Sequence, residues 1–410
     1  MPGTATLGQI ALGYSPIINA QRAVAATRLT VFPLRPEIEP DGAALLRLID
    51  SVWPAVALAE ASRATAMRPH PQVSLNIASE GLLHSVMRAA PGSHLMLEVP
   101  AFMAGDTAHA EALQRLFMSG TALALKGRPV TPLPPEVLAC FSQCILSAGE
   151  DRRDLMPSVA AGRTVSSVQA GVHDSATMEA AFKRGNVAAI GWPWEDALPA
   201  AGNKSSVPSD IGAVMELING VDREEPVAKL EAVLRRDPTL AFRLMRYLNS
   251  PAFGLPVEVN SFGHALMLLG YQRLKRWLAL LLVSSSKAPN SQVLVYAAVR
   301  RGLLMEELGR EHADSETRGE MFICGVFSLL PRLLQQPMSE LLKSVPVPER
   351  VHQALRGDGG PFGAHLELLQ AIEAESMFDI REKSEALLIG AADLNRALLA
   401  ALKAARDLQP

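Results

Sequence analysis

VPSDIGAVMELING at residues 207–220, LRRDPTLAFRLMRYLNSPAFGLP at 234–256 and SFGHALMLLGYQRLKRWLALLLVSSS at 261–286 decide the fold of the second half of this chain. Asp237-Pro238 reads as a helix start. The Asp side chain accepts from free first-turn amides, and Pro at the first helical position gives up no donor that is needed. Leu240, Leu244 and Leu248 recur every four residues with Ala241 and Met245 beside them, which makes one face apolar and leaves Arg243 and Arg246 to solvent. Asn249-Ser250-Pro251 stops that helix, and Gly254 with Pro256 turns the chain. Asp222 and Glu225 have capping-box spacing before Pro226, and 265–283 reads as a long apolar helix interrupted at Gly270.

Around this stretch the chain has two grammars. Before residue 195, short strand-like runs alternate with helical ones. The strands are VAATRLTVF (24–32), VSLNI (73–77), LMLEV (95–99), TALAL (121–125), CILSA (144–148), TVSSVQ (164–169) and NVAAIGW (186–192), with a less regular eighth at 10–19. The helical runs are AALLRLIDSVW, EGLLHSVMRAA, HAEALQRLFMS and TMEAAFKRG. Strand then helix, repeated, predicts parallel strands in a (β/α) barrel or open sheet. EDALPAAGNKSSVPS (195–209) reads as a linker. Everything after it is helical: 294–308, 321–334, 337–342, 348–355, 362–373, and one or two helices in 383–408.

Composition excludes several function classes. The 410 residues are 49% hydrophobic but only 5% aromatic, so aliphatic cores are expected. With 39 basic and 42 acidic residues, a net charge of −3 argues against a nucleic-acid partner. Arg273, Lys275 and Arg276 form a local basic cluster, read as the solvated face of a helix. Cys140, Cys144 and Cys324 make no disulfide framework; Cys140 and Cys144 are placed on one helix face as buried thiols without a zinc set. The start of the chain lacks a signal-peptide pattern, and 277–283 is too short to span a bilayer. A soluble cytoplasmic protein is expected. GxxxxGK[ST], HExxH and GxSxG are absent, and the glycine-rich run from Gly357 reads as a loop.

The segments of residues 207–286, followed by AAVRRGLLMEELG, MFICGVFSLLPRLLQQPMSELL, VPVPERVHQAL and GDGGPFGAHLELLQAIEAES, resemble the HDOD domain and its downstream extension. HDOD is a signalling module related to the HD phosphohydrolases but lacking their metal-binding His-Asp pair. In GVFSLLP, Ser328 and Leu329 stand where the resemblance places that pair. His264, His312, His352 and His365 show no metal-ligand spacing.

The first half resembles the EAL domain, a barrel that hydrolyses cyclic di-GMP. VSLNI is similar to the strand carrying a metal-binding Asn, here Asn76, and LMLEV to the strand carrying a metal-binding Glu, here Glu98. MEAAFKRGNVAAIGWPW is similar to the closing helix, strand and Gly-aromatic turn. Arg28 stands at the position of the Glu that names the family. Lys126 and Gly127 replace a pair of Asp, Ala170 falls at a later Glu, and Ile190 at a Gln. A dication needs clustered carboxylates, and Arg and Lys add positive charge where it would sit. Glu98 is therefore expected to pair with Lys126 or Arg28, because a buried carboxylate needs a partner.

The resemblance implies an EAL-HDOD protein: a degenerate (β/α) TIM-like barrel at 1–195, a linker at 196–206, and an all-helical HDOD bundle at 207–410. The expected function is a non-enzymatic bacterial scaffold or adaptor with phosphodiesterase activity lost and no cofactor or metal. Its expected partners are signalling proteins such as sensor kinases or cyclic di-GMP enzymes. Two alternatives are a non-hydrolysing receptor, with Arg28 and Lys126 facing the phosphates of cyclic di-GMP or another nucleotide, and residual HD-type phosphohydrolase action. The Ala/Leu-rich terminal helices suit either homodimer contacts or closure of the bundle.

Overall fold

The computed structural model describes residues 2–35, 37, 38, 40–54, 71–147, 165–196, 209–236, 261–286, 290–345 and 347–408. The helix start at Asp237-Pro238, the leucine stripe, the stop at 249–251 and the Gly254/Pro256 turn lie outside the described residues, as does most of the linker.

Eight strands close a barrel: β1 (Ile10–Asn19), β2 (Val24–Pro33), β3 (Val73–Ile77), β4 (Leu95–Pro100), β5 (Ala122–Lys126), β6 (Phe141–Leu146), β7 (Ser166–Val172) and β8 (Ala188–Gly191). β2 to β8 pair parallel in sequence order. β1 is a ten-residue strand with a register shift between Ile17 and Ile18, and it runs antiparallel to both β2 and β8, so the barrel departs from the all-parallel expectation. The inward positions Ile17, Met96, Ala124, Ile145, Val168, Ala188 and Ile190 pack into an aliphatic floor, with Ala26, Ala122 and Ala170 against it. The alternate residues Leu29, Val31, Leu75, Leu97, Val99 and Leu125 are also buried. Strands covered on both faces read as near-continuous apolar runs, which is why they stand out in the sequence. Cys140 and Cys144 are buried; Cys144 lies in β6, as the strand reading of 144–148 has it, and Cys140 lies in the turn just before it, so the two do not share the helix face expected for the pair.

The helices used below are α1 (Glu80–Arg88), α2 (Thr107–Met118), α3 (Phe262–Ser284), α4 (Ser291–Leu308), α5 (Ser315–Phe327), α6 (Gly363–Glu373), α7 (Met377–Ala386) and α8 (Ala391–Asp407). The chain divides into two compact units. One is Met1–Asp196 with Gln370–Leu399, and the other is Ala197–Leu369 with Ala400–Pro410. The division differs from the sequence reading, which gave all of 207–410 to the helical half. Residues 370–399 belong with the barrel because specific contacts tie them there. The buried Asn395 on α8 donates to the carbonyls of Leu7 and Ile10 at 2.8 and 2.7 Å and accepts from the amide of Leu12 at 3.2 Å. The Trp192 indole donates to the Glu373 carbonyl at 2.9 Å and sits edge-on to Tyr14. Gly13 makes room, since a Cβ there would lie 3.0 Å from the Glu375 Cα and from the Ile372 carbonyl. Asn395→Ala orphans three buried backbone groups, and a loss of about 3 kcal/mol is expected in denaturant unfolding. A change below about 0.5 kcal/mol would show that this anchor contributes little.

In the second unit, α3 breaks at Gly270, whose φ of 72° and ψ of 168° no helix can hold. The segment expected as one helix over 321–334 is two, because Ser328 ends α5 and Pro331 opens the next turn at Leu330–Leu334. The terminal segment, expected as one or two helices, is two, the end of α7 and then α8, separated at Leu388 with φ of 57°. Asp222 ends helix Ser209–Asp222 and pairs with the buried Lys275, so it serves this pair where a cap was expected. The basic cluster on α3 is only partly solvated. Lys275 is buried against Asp222, and Arg276 reaches Glu306 at 2.5 Å and lies over the Phe322 ring. Arg273 is exposed.

Candidate functional site

Strand alternation aims the polar side chains of β1 to β5 at one end of the barrel lumen. Arg28 on β2 faces Ser15 on β1 and Ser74 on β3 in register. Thr30 follows two residues on, so it shares Arg28's face. Arg28 forms a two-pronged bridge to Glu98, with Nε to Oε1 and Nη2 to Oε2 both at 2.8 Å. Glu98 is 1% exposed and accepts a further bond from Ser74 Oγ at 3.0 Å. The remaining Arg28 arm, Nη1, reaches Glu375 Oε2 at 3.1 Å. The same Glu375 oxygen accepts from Thr30 Oγ1 at 2.8 Å, while its other oxygen accepts from Ser15 Oγ at 2.6 Å. Glu375 sits between α6 and α7 with φ of 53°, a strained left-handed conformation that these contacts hold in place.

Lys126, at the end of β5, donates to Asn76 Oδ1 at 2.7 Å, and Asn76 Nδ2 donates to Thr30 Oγ1 at 3.1 Å. Two cations and two carboxylates therefore share the mouth, and their formal charges cancel. Burial alone would lower the Arg28 pKa; the charge of Glu98 and its paired bonds, reinforced by Glu375, hold it above its ordinary value instead. Lys126 goes the other way. Burial lowers its pKa, the neighbouring Arg28 adds to that, and Glu98 and Glu375 oppose it.

Of the expected partners for Glu98, Arg28 makes the ion pair and Lys126 bonds to Asn76. Gly127 ends β5 with φ of 81° and donates its amide to the Ile145 carbonyl. Ala170 and Ile190 belong to the aliphatic floor and its packing shell. The donor set does not fit a dication. Both Glu98 oxygens are taken by a guanidinium, the Asn76 carbonyl by an ammonium, and those fixed cations repel a metal. A cavity of about 740 Å³ remains at the mouth, lined by Arg28, Lys126, Gly127, Glu80 and Ala170 among others, with Phe102 and Val130 on its rim. Phe102 is 65% and Val130 98% exposed.

Sequence reasoning missed Ser15, Thr30, Ser74 and Glu375. The first three carried a signal, being polar residues at inward positions of otherwise apolar strands. Glu375 carried none, because 347 positions separate it from Arg28.

In the helical unit, Ser328 caps α5. Its hydroxyl accepts from Arg301 Nη1 at 2.8 Å and donates to the Gly325 carbonyl at 2.7 Å. Leu329 is buried core. Gly325 and Gly302 let α5 and α4 meet backbone to backbone: a Cβ on Gly325 would lie 2.5 Å from the Arg301 carbonyl oxygen. Cys324 beside it is buried, which pushes its thiol up to about 12 and keeps it protonated. The two positions that resemble an HD site are thus a helix cap and a packing residue.

Residues 206–340 match the model of the HDOD domain family. Among curated proteins, the chain is 30% identical over 165 residues to the uncharacterized protein YuxH of Bacillus subtilis, covering 39% of this chain and 40% of that protein. It is 24% identical over 195 residues to the cyclic di-GMP phosphodiesterase CdgJ of Vibrio cholerae, covering 47% and 45%. The chain thus spans under half the length of these two relatives. Among solved structures, the PaMucR phosphodiesterase in complex with c-di-GMP covers 47% of this chain and 93% of its own, at 22% identity and TM-score 0.30. A standalone EAL protein from Vibrio cholerae with c-di-GMP bound covers 44% and 89%, at 16% identity and TM-score 0.27. The EAL-like domain protein YdiV covers 46% and 94%, at 11% identity and TM-score 0.30. The chain carries an HDOD domain behind a closed eight-stranded barrel, and its structural neighbours are EAL proteins. Among the described residues, no helix is long and apolar enough to cross a membrane.

Proposed function

We propose that this HDOD-containing chain is a non-enzymatic signalling scaffold that acts through protein contacts, and that its barrel has lost cyclic di-GMP phosphodiesterase chemistry. One observation carries the reading: the Arg28–Glu98 bridge fills the end of the barrel where EAL-type metal ligands would stand, and Glu375 completes it from the C-terminal return. A guanidinium locked by two carboxylates neither holds a metal nor activates water. The usable surface is then the rim, where Phe102 and Val130 stand exposed beside the polar mouth. Expected partners are other signalling proteins, including cyclic di-GMP enzymes or sensor kinases.

The test is affinity capture from the native cell with the full chain. A cut at the linker would strip 370–399 from the barrel unit, so separate halves are unsuitable. A discrete partner retained by the wild type and lost with Phe102→Asp/Val130→Asp supports the reading. A partner set unchanged by the rim substitutions removes the mouth from it.

A second reading, a receptor that binds a nucleotide without cleaving it, draws on the size of the cavity and on Lys126 in its wall. Both cations already hold protein partners, so a phosphate would have to displace them. Calorimetry with cyclic di-GMP at low salt separates the readings, because heat abolished by Lys126→Met favours the receptor.

A further inference from the structure

Beside the mouth cavity, three side chains with metal-binding chemistry meet on helices of the barrel unit. Glu80 and His84 lie one turn apart on α1, where i and i+4 residues share a face. His109 comes from the first turn of α2. Ser79 caps α1 by accepting from the Leu82 amide and Asp106 caps α2 by accepting from the Ala108 amide, which fixes both first turns. Glu80 Oε1 lies 3.7 Å from His84 Nε2, and the His84 and His109 rings are 4.6 Å apart at a 56° tilt. One ligand atom from each of the three lies within 4.8 Å of the others.

We infer that Glu80, His84 and His109 form a zinc-class cation site that bridges α1 and α2. Zinc takes imidazole nitrogen and carboxylate oxygen at about 2.0–2.2 Å, so its donors stand roughly 3.4 Å apart. Small side-chain rotations close the remaining gap, and the Glu80 side chain, 59% exposed, has the freedom to make them. Two imidazoles and one carboxylate select a borderline transition dication over magnesium or calcium, which prefer oxygen donors throughout. Three protein ligands leave zinc's fourth position open. Because Glu80 also lines the mouth cavity, an ion here would fix one wall of it.

The full-length chain, treated with chelator and dialysed, is titrated with zinc chloride by calorimetry beside His84→Ala, His109→Ala and Glu80→Gln. His94→Ala serves as the control, since His94 pairs with Asp50 away from the cluster. The expected result is one equivalent bound with micromolar or tighter affinity by the wild type and the control. Each site variant weakens binding by at least about tenfold, and the visible spectrum of the cobalt-loaded chain loses intensity in His84→Ala. Circular dichroism shows that each variant is folded, and Glu80→Gln tests the site without altering packing. Absence of a stoichiometric equivalent in the wild type, or affinity unchanged in His84→Ala/His109→Ala, would overturn the inference.

Discussion

Glu98→Ala is expected to destabilise the barrel unit by about 3–5 kcal/mol, the largest effect of any single truncation at the mouth. The substitution removes both acceptors of the Arg28 fork and the acceptor of Ser74 Oγ, and leaves a buried guanidinium with Glu375 alone. Glu375 softens the loss and places the value toward the lower end of that range. The informative arm is the double variant Arg28→Met/Glu98→Leu. Replacing a buried pair with apolar side chains of similar volume is often neutral; Glu375 loses its Arg28 contact but keeps Ser15 and Thr30, so the double variant should recover part of the single loss. Denaturant unfolding of the wild type and the two variants measures this. Equal losses in Glu98→Ala and in the double variant would show that Glu98 contributes through packing and not through its charge.

Gly325→Ala carries the second large effect. Its Cβ would lie 2.5 to 2.7 Å from the carbonyl of Arg301 and the amide of Gly302, and these are backbone atoms that cannot rotate away. Overpacking of this kind costs about 1–3 kcal/mol, and backbone obstruction puts it at or above the upper end. Gly319→Ala, on the same helix with nothing within 4 Å of its Cβ, should instead stabilise by about 0.5–1 kcal/mol through helix propensity. Opposite signs at two glycines of α5 would establish that residues 325–329 are packing architecture. A neutral Gly325→Ala would reopen that segment to another role.

Much of the barrel was legible because doubly buried strands print themselves as apolar runs of the right length. VSLNI is β3 residue for residue. The Arg28–Glu98 pair was legible in kind, since a buried carboxylate needs a cation and Arg28 was one of the two named for it; that the pair reaches across β3, from β2 to β4, follows from the fold. What escaped depends on long-range placement. The antiparallel hand of β1 has no local signal. Cys140 and Cys144 fit helical spacing as well as they fit a strand. Residues 370–399 look like ordinary amphipathic helix, and nothing near Glu375 says that its carboxylate enters the barrel. His84 and His109 are 25 positions apart on separate helices, so only the fold brings them together.

The proposed scaffold role requires that the barrel mouth, its polar groups engaged by ion pairs, performs no hydrolysis. Its most direct test is incubation of the full chain with cyclic di-GMP in the presence of magnesium or manganese, with products followed by chromatography. The account predicts no product above the protein-free control with either metal. Metal-dependent turnover that disappears in Glu98→Ala would contradict it.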